Sequence, residues 1–419
     1  MPTINLNQIT KIEGHARLQV KIQNKEVKKC KLKIFEGSRY FEGILKNKRY
    51  NDLSPIASRI CGVCSVVHSL AAVKAVESAF NIKVSEQTNL LRELLSIAGI
   101  LQSHVLHLYF LTLPDYLGYD NAVEMAKTKK DEIKRALKLK RLGNSIVSAI
   151  GGRDVHPFTE LVGGFSSLPT KECLKELKSY TKDHVKEGKK TVELFSSLKY
   201  PSFKNETEYF ALKGGPYFYS DKTVDCFKGE CVPIENFEIH FKDYFRPEST
   251  AEFVVAKDKE YMVGALARIL NNKDKLSSKS KKYVKLIQPD NPFTNNIAQA
   301  IEINEIINRI LEILNKLKIK KEERPEIITK SGTGIGAIEA PRGILFHKYT
   351  LDEKGYCKSA HIITPTSQNL PKLEIDIKKY LPSLLKYNKN KISLEIEKLI
   401  RAYDPCISCS THFLEMNWQ

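Results

Sequence analysis

Glycine, proline and cysteine are all scarce in this 419-residue chain, at 21, 17 and 9 residues respectively. These low numbers exclude collagen-like, low-complexity and disulfide-dense scaffolds, and they fit a soluble globular protein. An apolar leader segment is also missing, because Met1 is followed by a polar and charged stretch. We therefore expect a cytoplasmic protein whose cysteines are reduced.

A long uninterrupted hydrophobic run is absent as well. The nearest candidate, residues 94–113, is interrupted by the polar side chains Gln102, Ser103, His104 and His107. A bilayer core would penalise these groups, whereas a buried helix can satisfy them. The sequence therefore predicts a core helix at this position and no membrane span.

Acidic residues are outnumbered, with 49 against 67 basic residues and a formal net charge of +18. Such a balance can indicate nucleic-acid binding. However, the lysine clusters are scattered, lack interleaved aromatic residues and are mixed with acids, as in KIKKEE at 318–323. A solvated lysine-rich surface is the simpler interpretation, so we expect no nucleic-acid partner.

Hydrophobic periodicity divides the chain into segments of different secondary structure. Residues 15–35 alternate apolar and polar side chains on both sides of a polar turn, which predicts an antiparallel hairpin. After Cys64 the spacing becomes helical, with further helices predicted at 121–149, 170–198, 294–319 and 381–402. Aromatic and β-branched residues at 205–256 predict a small sheet. One largely helical unit with β insertions is the simplest interpretation.

Two cysteine pairs of the form CxxC stand near opposite ends of the chain, and their members are Cys61, Cys64, Cys406 and Cys409. Four thiolates can hold a structural zinc ion or an iron–sulfur cluster, and two separate pairs can act as redox sites. Zinc sites usually draw their pairs from within a few tens of residues, whereas 342 positions separate Cys64 from Cys406 here. Spacing alone leaves the alternatives open, but a shared site would have to be assembled by folding of the whole chain.

A histidine follows each pair, His68 four residues after the first pair and His412 three residues after the second. The dipeptide Asp-Pro at 404–405 is typical of a helix N-cap followed by proline at the first helical position. We therefore predict a helix that begins near Cys406 and presents Cys406, Cys409 and His412 on neighbouring parts of one face. A cysteine at a helix N-terminus is favoured as thiolate, which is the form that binds metals.

Eight motifs spread along the chain resemble those of one known family, and they are KIEGHAR (11–17), SRYFEG (38–43), RICGVCSVVHSL (59–70), HVLHLYFLTLPD (104–115), GGRDVHP (151–157), EAPRG (339–343), TPTSQN (364–369) and DPCISCSTH (404–412). On these motifs the chain resembles the large, catalytic subunit of nickel–iron hydrogenases. It looks most like the cytoplasmic archaeal branch that does not reduce the deazaflavin cofactor and feeds heterodisulfide reductase in methanogenesis. The resemblance implies reversible heterolytic cleavage of dihydrogen to protons and electrons.

The resemblance also implies a fold of the α+β class, predominantly α, with a central bundle of long helices, an N-terminal β hairpin and small β insertions. We expect a single domain and divide it into five regions by sequence character. These are an N-terminal β region (1–60), a helical core (61–200), a β-containing insertion (201–290), a helical, metal-binding C-terminal part (291–412) and a short tail (413–419).

A nickel–iron centre bound by the two cysteine pairs is implied by the resemblance. Cys61 and Cys406 would be terminal nickel ligands, while Cys64 and Cys409 would bridge nickel to an iron that carries carbon monoxide and cyanide ligands. Soft thiolates suit both metals. His68 would donate a hydrogen bond to a bridging sulfur and so orient it.

Further residues around the metals are assigned roles by the same resemblance. Arg342 would place its guanidinium over the open metal positions. Pro341 and Thr366 would contact or hydrogen-bond the cyanides. Glu13 would accept a proton from the sulfur of Cys406, which makes these two residues and Arg342 the expected catalytic groups.

A magnesium ion is the second implied metal, held by Glu42, the backbone carbonyl of Ile362 and His412. Its preference for hard oxygen ligands suits the first two of these groups. Four other polar residues in the motifs are interpreted as structural, because helix packing or hydrogen bonding explains them more simply than metal binding. These are His104, His107, Asp115 and His156.

The other cysteines lack the regular run that binds an iron–sulfur cluster, and they are Cys30, Cys173, Cys226, Cys231 and Cys357. The chain therefore needs an electron acceptor in the form of an iron–sulfur small subunit. The resemblance further implies an electron-transfer subunit, heterodisulfide reductase and maturation proteins as partners. It leaves open whether a C-terminal endopeptidase removes the tail 413–419 or the tail stays.

Two alternatives remain at this stage. A pyridine-nucleotide-linked or sulfur-reducing cytoplasmic hydrogenase would share these motifs, because other subunits select the electron acceptor. A non-catalytic zinc-binding relative would share the fold, but relatives of that kind lack the intact cysteine pairs. One departure from the family pattern is Lys348, which stands where many relatives have a second histidine after His347.

Overall fold

The computed structural model describes residues 3–6, 9–23, 26–227, 229 and 231–411, with side chains from residue 9 onward. The protein is 52% helical, in agreement with the predicted α+β class in which helices predominate. The α-helices are Phe41–Leu45, Tyr50–Ala57, Ser65–Phe80, Glu86–Leu106, Leu113–Leu117, Ala122–Thr128, Lys130–Gly151, Lys171–Asp183, Val185–Ser196, Phe237–His240, Ala265–Asn272, Ser278–Lys281, Asn295–Lys316, Pro365–Leu384 and Lys389–Ala402. The tail 413–419 lies outside the described residues.

The N-terminal hairpin is present, as predicted. Strands Ala16–Gln23 and Glu26–Ile34 pair in antiparallel fashion, and Thr3–Leu6 adds a third strand to the outer side of the first. Alternate residues of Ala16–Gln23, from Ala16 to Ile22, are buried. The two-residue period in the sequence therefore marks the face that lies on the core.

Long helices form the centre of the molecule. Helix Glu86–Leu106 packs against both Lys130–Gly151 and Asn295–Lys316. Gly143 permits the first contact, because a Cβ atom there would lie 2.8 Å from Cγ of Gln102. The segment Glu86–Leu117 is long and apolar enough to cross a membrane, yet 83% of its most apolar window is buried inside the protein. The prediction of a core helix is therefore confirmed.

A three-stranded antiparallel sheet lies directly on helix Ser65–Phe80, and its strands are Gly332–Ala340, Gly343–Leu351 and Cys357–Ile363. Alternate glycines make this close approach possible. A Cβ atom on Gly334 or Gly336 would lie 2.1 or 2.0 Å from the backbone oxygen of Ala75 or Ala71. The sequence analysis missed this sheet, because glycines in place of side chains hide the usual strand pattern.

Two helices occupy the region where the sequence predicted one at 381–402. Helix Pro365–Leu384 begins after Thr364 and contains Pro371 and Pro382, and Lys389–Ala402 follows after the cap Asn388. The internal prolines interrupt the helical signal, since proline removes a backbone donor, and they explain why the first of the two was overlooked. The predicted helices at 121–149 and 170–198 are each divided in two as well.

The predicted small sheet at 205–256 is present, although two separate sheets share the region. One is four-stranded and consists of Glu208–Lys213, Thr223–Cys226, Cys231–Pro233 and Tyr261–Met262. The other pairs Phe241–Arg246 with Ser249–Ala256. A smaller aromatic and aliphatic core, distinct from the main one, lies between the four-stranded sheet and the sheet of residues 332–363.

Candidate metal centre

Four cysteine sulfurs from the two ends of the chain meet at one place. Cys61 Sγ lies 3.4 Å from Cys406 Sγ, and Cys64 Sγ lies 3.1 Å from Cys409 Sγ. All four sulfurs lie within 4.8 Å of one another, and no cysteine of the four is more than 7% exposed. The separations exceed the roughly 2.05 Å of a disulfide bond, so four free cysteines face a common centre.

The first pair is presented at the start of a helix. The 3-10 turn Ser58–Ile60 ends immediately before Cys61, and helix Ser65–Phe80 begins immediately after Cys64. The backbone amide of Cys64 also approaches Cys61 Sγ at 3.5 Å. The short spacing between Cys61 and Cys64 therefore corresponds to a short turn, and the sulfurs of both residues face inward.

The second pair is held differently from the prediction. No α-helix begins at the Asp-Pro dipeptide, and up to residue 411, where the described part of the chain ends, Cys406 is followed by the 3-10 turn Ile407–Ser410. Asp404 adopts a left-handed backbone conformation with φ of 50°. Its carboxylate accepts hydrogen bonds from Arg342 and Gln299 instead of from backbone amides. The helix prediction is wrong because tertiary contacts occupy the side chain that would have capped the helix.

Arg39 joins the two cysteine loops. Its Nη2 donates to the backbone carbonyls of Ile60 and Ser408, which directly precede Cys61 and Cys409. The loops therefore share one guanidinium, which fixes the distance between them. Arg39 belongs to the motif SRYFEG, but nothing in its sequence position showed that it bridges the two ends of the chain.

The protonation of the four cysteines depends on their burial and on the hydrogen bonds among their sulfurs. The pKa of Cys61 is lowered because the thiols of Cys406 and Cys409 donate to its sulfur. Hydrogen bonds with the other sulfurs, first with Cys409, raise the pKa of Cys406, while burial raises the pKa of Cys409. Further thiolates at this place therefore require a cation, and soft metal ions are the cations that thiolates prefer. The donor set fits a nickel–iron centre.

Arg342 lies against the cluster and stays charged. Its Nε donates to the backbone carbonyl of Asp404 at 2.6 Å, and its Nη2 donates to Asp404 Oδ1 at 2.9 Å. Burial would lower the pKa of Arg342, but Asp404 and the cysteine sulfurs raise it well above its usual value. Its Nη1 is buried without a hydrogen-bond partner among the residues that the structure describes. The N–H groups of Nη1 are thus available beside the sulfurs.

A small cavity separates the sulfurs from the strand connection that carries Arg342. Cys64 and Cys409 line it together with Pro341 and Thr366. Thr366 Oγ1 accepts a hydrogen bond from the backbone amide of Cys406 at 3.0 Å. Because the threonine oxygen acts as acceptor in that contact, its own hydroxyl proton remains available for donation.

Glu13 contacts the second cysteine pair from the N-terminal segment. Its Oε2 lies 3.1 Å from Cys406 Sγ and accepts from the backbone amide of Ser408 at 2.9 Å, while the Ser408 hydroxyl donates to Oε1. Gly14 makes this approach possible, since its φ is +84° and a Cβ atom would lie 2.6 Å from Cβ of Ile407. Glu13 itself is half-buried.

The residues predicted to hold magnesium are only partly described. Glu42 Oε1 accepts a hydrogen bond from the backbone amide of Ile362 at 2.7 Å, and burial raises the pKa of Glu42 to about 7. His412 lies outside the described residues. The structure therefore brings Glu42 and Ile362 together.

The four polar residues interpreted as structural have internal partners. His104 Nε2 lies 2.7 Å from Glu302 Oε2, and His156 Nδ1 lies 2.8 Å from the carbonyl of Ser58. The other two make similar contacts: His107 with Gln299 and the carbonyl of Arg401, and Asp115 with Lys11 and Arg401. Each is buried or half-buried, as expected of groups that support the fold.

Arg268 is a functional neighbour that sequence reasoning missed. It is fully buried, it pairs with Glu302 and Glu339, and it donates to the carbonyls of Ala340 at 2.8 Å and Pro341 at 2.9 Å. Ala340 and Pro341 are the two residues before Arg342. Arg268 therefore supports the backbone that carries the guanidinium of Arg342. An arginine among the apolar residues that begin helix Ala265–Asn272 was the available signal.

The remaining cysteines do not form a second centre in the described part of the chain. The four sulfurs described above are one group of residues that could hold a metal ion, and the other consists of Asp243, Glu252 and His361. Cys30, Cys173, Cys226, Cys231 and Cys357 join neither group.

Comparison with known sequences gives a consistent result. The sequence profile described as nickel-dependent hydrogenase matches residues 39–138 and 255–412. The alpha subunit of sulfhydrogenase 1 of Pyrococcus furiosus is 35% identical over 99% of this chain and 98% of its own length. The corresponding subunit of the F420-non-reducing hydrogenase of Methanothermobacter marburgensis is 30% identical, over 99% of this chain and 96% of its own length.

Solved structures share the fold. An NAD+-reducing NiFe hydrogenase in the H2-reduced state has a TM-score of 0.89 at 22% identity, and the alignment covers 98% of this chain and 100% of that one. A NiFeSe hydrogenase variant from Desulfovibrio vulgaris Hildenborough has a TM-score of 0.83 at 24% identity, with 98% and 99% covered. The predicted central helical bundle with small β insertions is therefore confirmed.

Proposed function

The chain belongs to the nickel-dependent hydrogenase family as a large, catalytic subunit, and on this premise we propose how its residues bind and serve the nickel–iron centre. The thiolates of Cys61 and Cys406 would hold nickel as terminal ligands, and those of Cys64 and Cys409 would be shared between nickel and iron. The convergence of these four sulfurs within 4.8 Å carries the proposal. The bound centre supplies the Lewis acidity that polarises dihydrogen for heterolytic cleavage.

The cavity beside the sulfurs suits small diatomic ligands on iron, and we assign carbon monoxide and cyanide to it. Cyanide accepts hydrogen bonds, and two donors are available there. These are Nη1 of Arg342, which lacks a partner among the described residues, and the hydroxyl of Thr366. Pro341 lines the same cavity. Arg342 additionally keeps a positive charge over the position where dihydrogen reacts.

Glu13 is the proton acceptor in this proposal. Its Oε2 lies 3.1 Å from Cys406 Sγ, within reach for direct transfer. The amide and hydroxyl of Ser408 orient the carboxylate toward that sulfur. Because Glu13 is half-buried, it connects the buried sulfur with the outer part of the molecule and passes the proton outward.

Magnesium is assigned to Glu42, the carbonyl of Ile362 and His412. A half-buried acid and a fully buried acid support a cation in this region. The pKa of Glu42 is raised by burial, and Glu252 is 1% exposed with an Oε2 that lacks a hydrogen-bond partner in the described part of the chain. Burial raises the pKa of Glu252 most, and the negative charge of the nearby Glu42 raises it further. A divalent cation would satisfy both carboxylates.

The test is metal content together with infrared spectra of the anaerobically purified complex. We expect nickel and iron in equal amounts, magnesium, and bands from carbonyl and cyanide groups. Cys61→Ser should lose nickel and dihydrogen oxidation together, whereas Cys30→Ser, outside the sulfur cluster, should keep both. Zinc as the only bound metal would contradict the proposed centre.

The electron acceptor is proposed in two forms. In a heteromeric, cytoplasmic complex, the chain passes electrons to an iron–sulfur small subunit, from which an electron-transfer subunit carries them to heterodisulfide reductase in methanogenesis. The relatives named F420-non-reducing hydrogenase support this form. The second candidate is a sulfur-reducing enzyme, because the two sulfhydrogenase alpha subunits of Pyrococcus furiosus are 35% and 32% identical over 99% of the chain.

Identification of the co-purifying subunits distinguishes these acceptors. Heterodisulfide reductase in the complex supports the first form, and dihydrogen-dependent reduction of polysulfide without it supports the second. Maturation proteins are expected to insert the metals in either case. The intact mass of the mature protein shows whether an endopeptidase has removed residues 413–419.

A further inference from the structure

Three buried side chains form a line that ends at a sulfur of the metal centre. Tyr349 Oη lies 2.6 Å from His347 Nδ1, and His347 Nε2 lies 3.1 Å from His68 Nδ1. His68 Nε2 in turn lies 3.8 Å from Cys409 Sγ. The tyrosine and both histidines are at most 1% exposed. The proton position on each imidazole therefore depends on the next group along the line.

The direction of these hydrogen bonds follows from the phenol. Burial raises the pKa of Tyr349 well above its usual value, so the phenol keeps its proton. Among the described residues, the hydrogen-bond partner of the phenol is His347 Nδ1. This nitrogen therefore accepts the phenol proton. A neutral imidazole that accepts at Nδ1 carries its own proton at Nε2.

The same reasoning extends to the sulfur. With its proton at Nε2, His347 donates to Nδ1 of His68, which then carries its proton at Nε2 as well. That second proton is directed at Cys409 Sγ. The reverse direction would place a nitrogen lone pair against the sulfur and leave the phenol proton without an acceptor, which burial penalises.

The geometry of a β-strand explains why one strand supplies both His347 and Tyr349. His347 and Tyr349 lie two residues apart on strand Gly343–Leu351, so their side chains project from the same face. Lys348 lies between them on the opposite face and pairs with Glu238. The lysine that departs from the family pattern is thus directed away from the metal centre.

We propose that His347 and Tyr349 are positioning residues, which hold His68 in the tautomer whose Nε2 proton is directed at Cys409. The inference rests on the proposed role of Cys409 as a bridging ligand. A hydrogen bond to a metal-bound sulfur withdraws electron density from it and orients it, as partners of metal ligands generally do. Tyr349 contacts neither the sulfurs nor the cavity and acts through the two imidazoles.

The direct test is the tautomer of both histidines in the purified complex, labelled with 15N-histidine and held in a diamagnetic state. Solid-state 15N NMR distinguishes protonated from unprotonated imidazole nitrogens, and difference spectra against His68→Gln and His347→Gln assign the two residues. We expect Nδ1 without a proton and Nε2 with a proton in both. A proton on Nδ1 of either histidine overturns the proposal.

A conservative variant tests the phenol. Tyr349→Phe removes only the hydroxyl, so His347 should divide between its two tautomers, and dihydrogen oxidation should fall about tenfold at unchanged nickel and iron content. Tyr261→Phe is the matched control, because Tyr261 is also buried and its hydroxyl has no partner in the described part of the chain. Wild-type tautomers and rate in Tyr349→Phe overturn the proposal.

A rescue experiment separates orientation from packing. Glutamine at position 347 can accept from Tyr349 at its oxygen and donate to His68 from its amide nitrogen, whereas leucine can do neither. We expect His347→Gln to retain most of the rate and His347→Leu to lose at least about tenfold. Equal losses in both variants would show that His347 only fills space. A complex that contains zinc instead of nickel and iron would refute the proposed function, yet the tautomers could still be measured in it.

Discussion

At the scale of single residues, the sulfur cluster has a permanent positive charge and a carboxylate as direct neighbours. Arg342 is held by Asp404 on one side of the sulfurs, and Glu13 lies against Cys406 on another side. Both contacts join segments far apart in sequence. The motifs named Arg342, Glu13 and Cys406, but the pairing of Arg342 with Asp404 and the hydrogen bonds from Ser408 to Glu13 required the folded chain.

Replacement of Glu13 tests its proposed role as the proton acceptor. Glu13→Gln retains the size of the side chain but removes the basic oxygen, so dihydrogen oxidation should fall by at least about a hundredfold. Nickel and iron content should not change, because Glu13 is not a metal ligand. Metal analysis and a dihydrogen-oxidation assay check this expectation. Glu353→Gln, on the exposed surface, is the control, and an unchanged rate in Glu13→Gln would refute the role.

Glu160 offers a residue-scale prediction on stability. Ser69 donates to its Oε1, while Oε2 has no partner among the described residues. Burial raises the pKa of Glu160 from 4.5 to about 7. Because the folded pKa lies above the unfolded one, the protonated acid favours folding. Its stabilising contribution is therefore complete below pH 4.5 and is lost as the pH rises through 7.

Glu160→Gln should remove this pH dependence. We expect the variant to gain stability relative to the wild-type protein as the pH rises from about 5 to about 8, by at most about 3 kcal/mol. Differential scanning calorimetry across that range measures the difference in Tm. A constant difference between the two proteins at all pH values would contradict the raised pKa.

At the scale of elements, the contact between helix Ser65–Phe80 and strand Gly332–Ala340 positions half of the site. The helix begins immediately after Cys64, and the strand ends directly before the connection that carries Arg342. Glycines of the strand set the distance between the helix and the strand, because they allow the two backbones to be in direct contact. A change in this separation would therefore move the first cysteine pair relative to Arg342.

Gly336→Ala tests this contact. Its Cβ atom would lie 2.0 Å from the backbone oxygen of Ala71, and a backbone atom cannot move aside as a flexible side chain can. We expect the free energy of unfolding to fall by about 1–3 kcal/mol and nickel content to fall with it. Thermal unfolding and metal analysis check both effects. Gly37→Ala, with nothing within 4 Å of the added atom, should resemble the wild-type protein.

At the scale of the whole molecule, the metal centre joins the two ends of the chain. Cys64 and Cys406 are separated by 342 positions, and Arg39 is a further link between the same two loops. Ligands that close so long a loop restrict the unfolded chain strongly. The centre should therefore contribute to stability as well as to catalysis.

Metal removal tests this contribution. The complex with its centre removed, or the variant Cys409→Ser, should unfold at a lower temperature than the loaded protein, since a group bound only by the folded state stabilises it. The segment 404–411 should also become more sensitive to proteolysis. Calorimetry and limited proteolysis measure these effects, with Cys173→Ser as the control. Equal unfolding temperatures with and without metals would contradict the prediction.

Local patterns in the sequence determined much of the fold and named the four cysteines that we propose as metal ligands. The alternating hairpin at Ala16–Ile34, the core helix within 86–117 and the helix Asn295–Lys316 follow from periodicity, because each buries one face or its whole circumference. The paired cysteines, together with the motifs around them, are sufficient to indicate a nickel–iron centre. These features are carried by neighbouring residues, so short segments contain the information.

Only the tertiary structure decided how the segments act on one another. The turn after Asp404 is not an α-helix, because Arg342 and Gln299 use the aspartate that would have capped it. The bridge made by Arg39, the support of Pro341 by Arg268 and the line from Tyr349 to Cys409 also join residues that are remote in sequence. Such contacts depend on the relative positions of whole elements, and no local pattern contains that information.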